Sequence, residues 1–285
     1  MHIVFDFTFF DMVIFPNAKI NLGLNVTEKR SDGFHNIHTV FYPVALCDVL
    51  EIVESQNGES SLFCSGLAID SPIENNLCTR ALQLIKKDFK IPETDIFLYK
   101  KIPFGAGLGG GSADAASVLI LLNKMFDLHI SQTKLMQYAA TLGSDCAFFI
   151  KNKPQFATGR GEIMNDIDIN LSGYYFVLVK PQISISTAHA YADISPCQPE
   201  ICIPEIVAKP IEQWKNLLFN DFEIPIFARF PQIKEIKETL YSKGAIYASM
   251  SGSGSSVYGI FEKETDTSDF PKDYFVFEKL ISNYF

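Results

Sequence analysis

Residues 100–123 read KKIPFGAGLGGGSADAASVLILLN, and the architecture of the whole chain follows from how that stretch is understood. Five of the seven positions from Gly105 to Gly111 are glycine. Glycine loses more backbone freedom on ordering than any other residue, so this density is hard to justify as a mere turn. Its physical use is close approach: with no Cβ in the way, successive backbone N–H groups can converge on an anion. The apolar run that follows predicts a helix over about 112–125. Ser112 and Ala113 then lie at its positive end, where phosphate oxygens are stabilised. Asp114 reads as a partner of the helix dipole rather than as a catalytic group. Three other readings compete. Gly105, Gly107 and Gly110 spell G-x-G-x-x-G, but no βαβ unit precedes them and Lys100, Lys101 and Pro103 crowd the strand end, which argues against a dinucleotide site. No Lys-Ser/Thr follows the glycines, so the Walker A pattern is absent. A flexible hinge is the third alternative.

Outward from the loop, the pattern alternates between the two regular periods. Upstream, 95–102 predicts a strand and 76–89 a helix. From 14 to 52 the chain is mostly β. Along 17–26, Ala18, Ile20, Leu22, Leu24 and Val26 point one way, and Lys19, Asn21, Gly23 and Asn25 point the other. Downstream, Ser131 caps a helix that ends near Leu142, with Gly143 as its stop. Residues 151–170 read as polar loop between two ordered blocks. Beyond them, 174–179 predicts a strand, 233–242 a helix, and 246–250 and 257–261 two strands flanking the turn SGSGSS. Strands and helices mix without a regular βαβ beat, so the expected class is α+β in two lobes, 1–160 and 161–285. The opening MHIVFDFTFFDMVIF is broken by Asp6 and Asp11 and lacks a basic leader or a small-residue cleavage site. It reads as a Phe-rich edge strand or strand pair packed on the core, neither signal peptide nor membrane span.

Composition narrows the function classes. Of 285 residues, 47% are hydrophobic and 20% charged, which places the chain among globular proteins rather than disordered ones. A net charge of −9 argues against a nonspecific nucleic-acid binder. Any anion must be held by local cations and amides. Six scattered cysteines without a CxxC point to reduced thiols in a cytoplasmic protein, and Cys197 with Cys202 is only a weak metal signal.

The Pro-x-x-x-Gly-Leu-Gly core at 103–109, with the Ser and Ala residues after it, resembles the second motif of the GHMP small-molecule kinases. The form GLGGGSADAA is most similar to the branch that phosphorylates the 2-hydroxyl of 4-diphosphocytidyl-2-C-methyl-D-erythritol in the non-mevalonate route to isoprenoid precursors. Further segments carry the same resemblance: PNAKINLGLNVTEKRSDGFHNIHTVF (16–41), LGSDCAFFI (142–150), FATGRGE (156–162), PQISISTAHAY (181–191) and MSGSGSSVYGIF (250–261). The family fold this implies has an N-terminal ATP-binding lobe like the second domain of ribosomal protein S5 and a ferredoxin-like C-terminal lobe, with the active site between them.

The resemblance also assigns residues. Asp145 is the implied base and Lys19 its partner; by themselves they read as a loop or cap Asp and a strand Lys on a solvated face. ATP is expected along Pro103, Phe104, Gly105, Ala106, Gly107, Leu108, Gly109, Gly110, Gly111, Ser112 and Ala113. Asn76 is placed at the adenine, or else simply caps its helix. Asn21, on the face of Lys19, is expected to hydrogen-bond the substrate. Phe34 and Tyr191 are expected to sandwich the cytosine, His35 to bond its edge and Thr187 to touch the methylerythritol end; without the resemblance Thr187 reads as an ordinary strand residue. Magnesium is expected with ATP, held mostly by phosphates and water, with Ser112 the nearest protein candidate. Phe34 stands where Tyr is common in the family, and Cys146-Ala147 replaces Val-Pro or similar residues. The expected partner is a small molecule, with no nucleic acid or membrane, and the expected state is a monomer or weak homodimer. A GHMP kinase of mevalonate, homoserine or a sugar, and a noncatalytic ligand sensor on the same fold, are the competing functions.

Overall fold

The computed structural model describes residues 13–68 and 72–282. Strand β1 (Val13–Ile14) pairs antiparallel with Glu51 and Leu50. The rest of the expected Phe-rich strand pair, residues 1–12, lies outside the described residues.

The alternating segment becomes β2 (Asn17–Lys29), paired antiparallel with β3 (His35–Cys47). Its apolar side is fully buried, as alternation requires; Ala18, Ile20 and Leu22 have no exposed surface. The other side is not a solvated face: Lys19 and Asn21 are buried too. β4 (Val49–Glu54) and β5 (Ser61–Gly66) follow, then a short 3-10 turn (Ile73–Asn75) and helix α1 (Leu77–Asp88). β6 (Thr94–Lys100) returns parallel to β5 and antiparallel to β4. This is the single parallel pair among the described strands, and α1 supplies the crossover it needs.

Apart from Asp114 and Ser117, helix α2 (Gly110–Met125) is apolar on every side between Ala113 and Leu122, the signature of a helix buried all round. It packs against α1, α3 (Gln132–Leu142) and α4 (Cys146–Lys151) over the β4–β6 face. Ser131 Oγ accepts from the Lys134 N–H at 3.3 Å, and the Gly143 N–H closes the other end of α3 on Ala139. Residues 151–170 are not plain loop. β7 (Gln155–Thr158) and β8 (Ile163–Asp166) form a hairpin that extends the first sheet to β2-β3-β7-β8. Four-residue strands carry too little alternation to be read, and Lys151, Lys153 and Asp166 pair on the exposed side, giving the segment its polar look. The expected boundary at 160 falls in the turn of this hairpin.

The C-terminal part holds β9 (Tyr175–Lys180), α5 (Thr187–Ala192), α6 (Ile203–Val207), a 3-10 turn (Ile211–Asn216), α7 (Glu223–Arg229), α8 (Pro231–Ser242), β10 (Tyr247–Met250), β11 (Val257–Phe261) and β12 (Phe275–Leu280). Its sheet, ordered β10-β11-β9-β12, is antiparallel throughout. Thr187 opens a helix instead of lying in a strand. The molecule is α+β in two lobes. One core joins them: Ala18, Ile20 and Leu22 of β2 pack with Phe176, Trp214, Tyr247 and Tyr258 of the C-terminal part.

Candidate active site

Between the lobes lies a cavity of about 880 Å³. Its floor is the glycine loop. Gly105, Gly107 and Gly109 have φ of +58°, +72° and +70°, while Ala106 and Leu108 between them do not. Alternating backbone of this kind turns successive N–H groups to one concave side, an anion nest. Gly109 is the N-cap of α2, so the amides of Gly110, Gly111 and Ser112 have no partner within the helix. The Ala113 N–H, by contrast, already donates to Gly109 at 2.9 Å, and Ala113 is buried and does not line the cavity. Pro103 through Ser112 all line the cavity.

The loop is pinned, which removes the hinge reading. The Lys19 N–H donates to Leu108 at 2.9 Å, and Ser251 Oγ donates to the Gly107 carbonyl at 2.8 Å. Any Cβ at Gly107 would sit 2.0 Å from the Ser251 carbonyl oxygen, so glycine is required there. Beneath the loop, Lys100 Nζ donates to Asp48 and, at 2.7 Å, to Asp114. Asp48 Oδ1 accepts from the N–H groups of Lys101 and Ile102. All three charged side chains are buried. Asp114 is therefore a buried hydrogen-bond partner of Lys100 past the first turn of α2, not a dipole partner. Burial, opposed by Lys100 and helped by Asp48, pushes its carboxyl up to about 8. Burial opposes the charge on Lys100, but the two carboxylates outweigh it and raise its pKa.

At the mouth of the loop, Lys19 Nζ lies 3.4 Å from Asp145 Oδ2. Asp145 is the N-cap position of α4, yet its side chain makes no capping bond and a third of it faces the cavity. Lys19 also donates to Asn21 Oδ1 at 2.7 Å, and Asn21 Nδ2 donates to Thr39 Oγ1 at 2.9 Å. Both ends of the Asn21 amide are thus engaged, and Asn21, buried beside the cavity lining, is placed to orient Lys19. Asn76 caps α1, accepting from the Cys78 N–H at 2.9 Å; its neighbour Leu77 lines the cavity and Asn76 does not.

The far end of the cavity holds Phe34, His35, Tyr191 and Thr187. The ring stacked on Tyr191 is that of His35, with centroids 4.8 Å apart and planes 15° off parallel. Phe34 is covered by the Arg160 guanidinium at 4.8 Å. The rings of Phe34 and Tyr191 are thus each faced by another residue of the protein, Arg160 and His35 respectively. Burial, then Lys29, lowers the His35 pKa; burial, then Asp145, pushes Tyr191 up to about 12. Thr187 Oγ1 meets Ser253 Oγ at 3.3 Å. Arg160 and Lys29 line this end as well, and the sequence reading gave them no role. The Gly-Arg-Gly turn at 159–161 is the signal that could have found the first.

Residues 76–153 match the model of the GHMP kinases N terminal domain, and residues 202–270 that of the GHMP kinases C terminal domain. The chain belongs to the GHMP kinases. This kinase is 56% identical over 255 residues to a 4-diphosphocytidyl-2-C-methyl-D-erythritol kinase of Bacteroides fragilis, covering 89% of the chain and 93% of the relative. It is similar to the crystal structure of a 4-(cytidine 5'-diphospho)-2C-methyl-D-erythritol kinase, with a TM-score of 0.75 at 31% identity over 87% of this chain and 89% of that one. A mevalonate kinase of Methanococcus jannaschii shares the fold, with a TM-score of 0.71 at 14% identity over 96% and 100% of the chains.

Proposed function

We propose that this kinase transfers the terminal phosphoryl group of ATP to the 2-hydroxyl of 4-diphosphocytidyl-2-C-methyl-D-erythritol, a step of the non-mevalonate route to isoprenoid precursors. The observation that carries the reading is the Lys19–Asp145 pair at 3.4 Å, set where the amide-lined loop opens into the cavity. Phosphoryl transfer asks for positioning and charge stabilisation more than for covalent chemistry. The free amides around Gly107–Ser112 hold the phosphate oxygens. Asp145 accepts the hydroxyl proton as the alcohol oxygen bonds to the γ-phosphorus and the bond to the ADP oxygen breaks. Lys19, oriented by Asn21, pairs with Asp145 and stabilises charge on the attacking oxygen.

Among the described residues no three acidic, His or Cys side chains cluster as a metal cage. A magnesium ion held by phosphates, water and the Ser112 hydroxyl suits that arrangement, and when bound it neutralises phosphate charge. The aromatic end with His35 suits a pyrimidine base, which favours the cytidine-bearing acceptor over mevalonate or homoserine. All six cysteines are free, which supports work in a reducing compartment, the cytoplasm. Every group invoked comes from one chain, so a monomer or weak homodimer suffices.

An acceptor panel tests the reading. With ATP and magnesium, the cytidine compound is expected to turn over at least about a hundredfold more efficiently than mevalonate, homoserine or galactose, the scale of roughly 3 kcal/mol of differential binding. Equal or better turnover of any of the others would overturn it.

A further inference from the structure

The segment Asn220–Glu223 touches no reacting group, yet its side chains reach the turn after Met250, the edge of β2 and the ring of Tyr191. Asn220 is buried, and its Nδ2 donates to the carbonyls of Met250 and Gly252, at 2.8 Å each. Those carbonyls bracket Ser251, whose hydroxyl holds Gly107 and whose own carbonyl blocks any Cβ there. Asp221 Oδ2 accepts from the Val26 N–H at 2.7 Å, and the Asp221 N–H donates to Leu24 at 2.8 Å. These bonds close the free edge of β2, the strand that carries Lys19 and Asn21. Phe222 presses edge-on against Tyr191, with centroids 4.8 Å apart at 87°. Glu223 Oε1 accepts from the Met250 N–H at 2.8 Å, and its other oxygen accepts from Lys237 at 2.6 Å.

The two ends of the segment therefore serve the two ends of the cavity. Asn220 also accepts from the Phe222 N–H at 3.0 Å, so the amide that grips the glycine turn fixes the backbone of the residue that supports Tyr191. We propose that Asn220 and Phe222 are positioning residues that hold the phosphate end and the cytidine end of the cleft in register, Asn220 through the 250–252 turn under Gly107 and Phe222 through the ring of Tyr191. The assignment of ends rests on the kinase reading above; the juxtaposition does not.

The two residues make opposite demands on the two ligands, which a general structural role would not. In Asn220→Asp a carboxylate oxygen replaces the donor facing two carbonyls. The KM for ATP is expected to rise about tenfold, with the acceptor KM within about twofold, the scale of one lost buried donor. In Phe222→Leu the volume is nearly kept but the ring edge is lost. The acceptor KM is expected to rise about fivefold, with the ATP KM unchanged, the scale of one aromatic contact. If Asn220→Asp fails to fold, Asn220→Ser supplies the same comparison, and Phe222→Leu stands as an independent arm. Equilibrium binding of a fluorescent ATP analogue and of CDP repeats the comparison without turnover. Wild-type protein that phosphorylates nothing would retire the kinase reading, while those binding curves still decide this one. Equal shifts for both ligands in either variant, or no shift in either, would overturn it.

Discussion

We propose Asp145 as the base for what it does not do: it occupies a helix N-cap, makes no capping bond there, and turns to Lys19 instead. Asp145→Asn is expected to keep the fold and to leave ATP affinity within about twofold. Its kcat should fall by about a hundredfold or more, the range for losing a positioned base. A steady-state assay beside an ATP titration reads both, and normal turnover would remove Asp145 from the chemistry. Tyr191→Ala is expected to weaken cytidine-substrate binding about fivefold or more without changing ATP binding. Equal loss for both ligands would move Tyr191 out of that end. The Lys19–Asp145 pair was legible in the sequence because each sits in a local motif. The bonding of Asn21 was not, since its amide is divided between Lys19 and Thr39, and Thr39 lies on another strand. Arg160, Asp48 and Asn220 escaped for the same reason: each acts through contacts far away in sequence.

At the scale of elements, the glycine loop works because both of its ends are tied to one buried ion cluster. Asp48 holds the amides that enter the loop, and Lys100 links Asp48 to Asp114 in the helix that leaves it. Asp48→Asn removes one partner of a buried pair and is expected to cost about 3–5 kcal/mol. Asp114→Asn should behave differently. Burial pushes the Asp114 carboxyl up to about 8 in the folded chain, whereas unfolded it ionises in the ordinary aspartate range. Its contribution to stability is therefore greatest below about pH 4 and is lost as pH rises toward 8. Urea midpoints measured from pH 5 to pH 9 should show Asp114→Asn gaining on the wild type over that interval. A constant difference would mean that Asp114 is ionised throughout. Helices 77–88 and 132–142 were readable to within a few residues because eleven or twelve residues repeat the 3.6 period about three times, and 110–125 because its apolar run is too long for a strand. The β7–β8 hairpin offered no such repetition.

At the scale of the molecule, the two-lobed α+β class followed from the mixture of periods and the ordered family motifs. The meeting of the lobes did not, because it is a matter of which buried faces touch. We propose that they divide after Asp166, since β8 still pairs in the first sheet. That first lobe cannot close its own core: the apolar face of β2 is covered by Phe176, Trp214, Tyr247 and Tyr258. A chain ending at 166 is expected to be unfolded or aggregated, whereas the full chain melts as one unit and gains about 2.7 kcal/mol with ATP at a hundred times its Kd. A cooperative transition in the isolated piece would contradict the shared core.

The central claim is geometric: the loop at 105–112 grips the terminal phosphates of the nucleotide and aims them at an alcohol held beside Lys19 and Asp145. A crystal structure with a nonhydrolysable ATP analogue, magnesium and the cytidine substrate measures it directly. The account requires phosphate oxygens on the amides of 107–112 and the acceptor hydroxyl about 3–3.5 Å from the γ-phosphorus, within reach of Asp145. A triphosphate bound away from the loop, or a hydroxyl remote from both charged side chains, would contradict it.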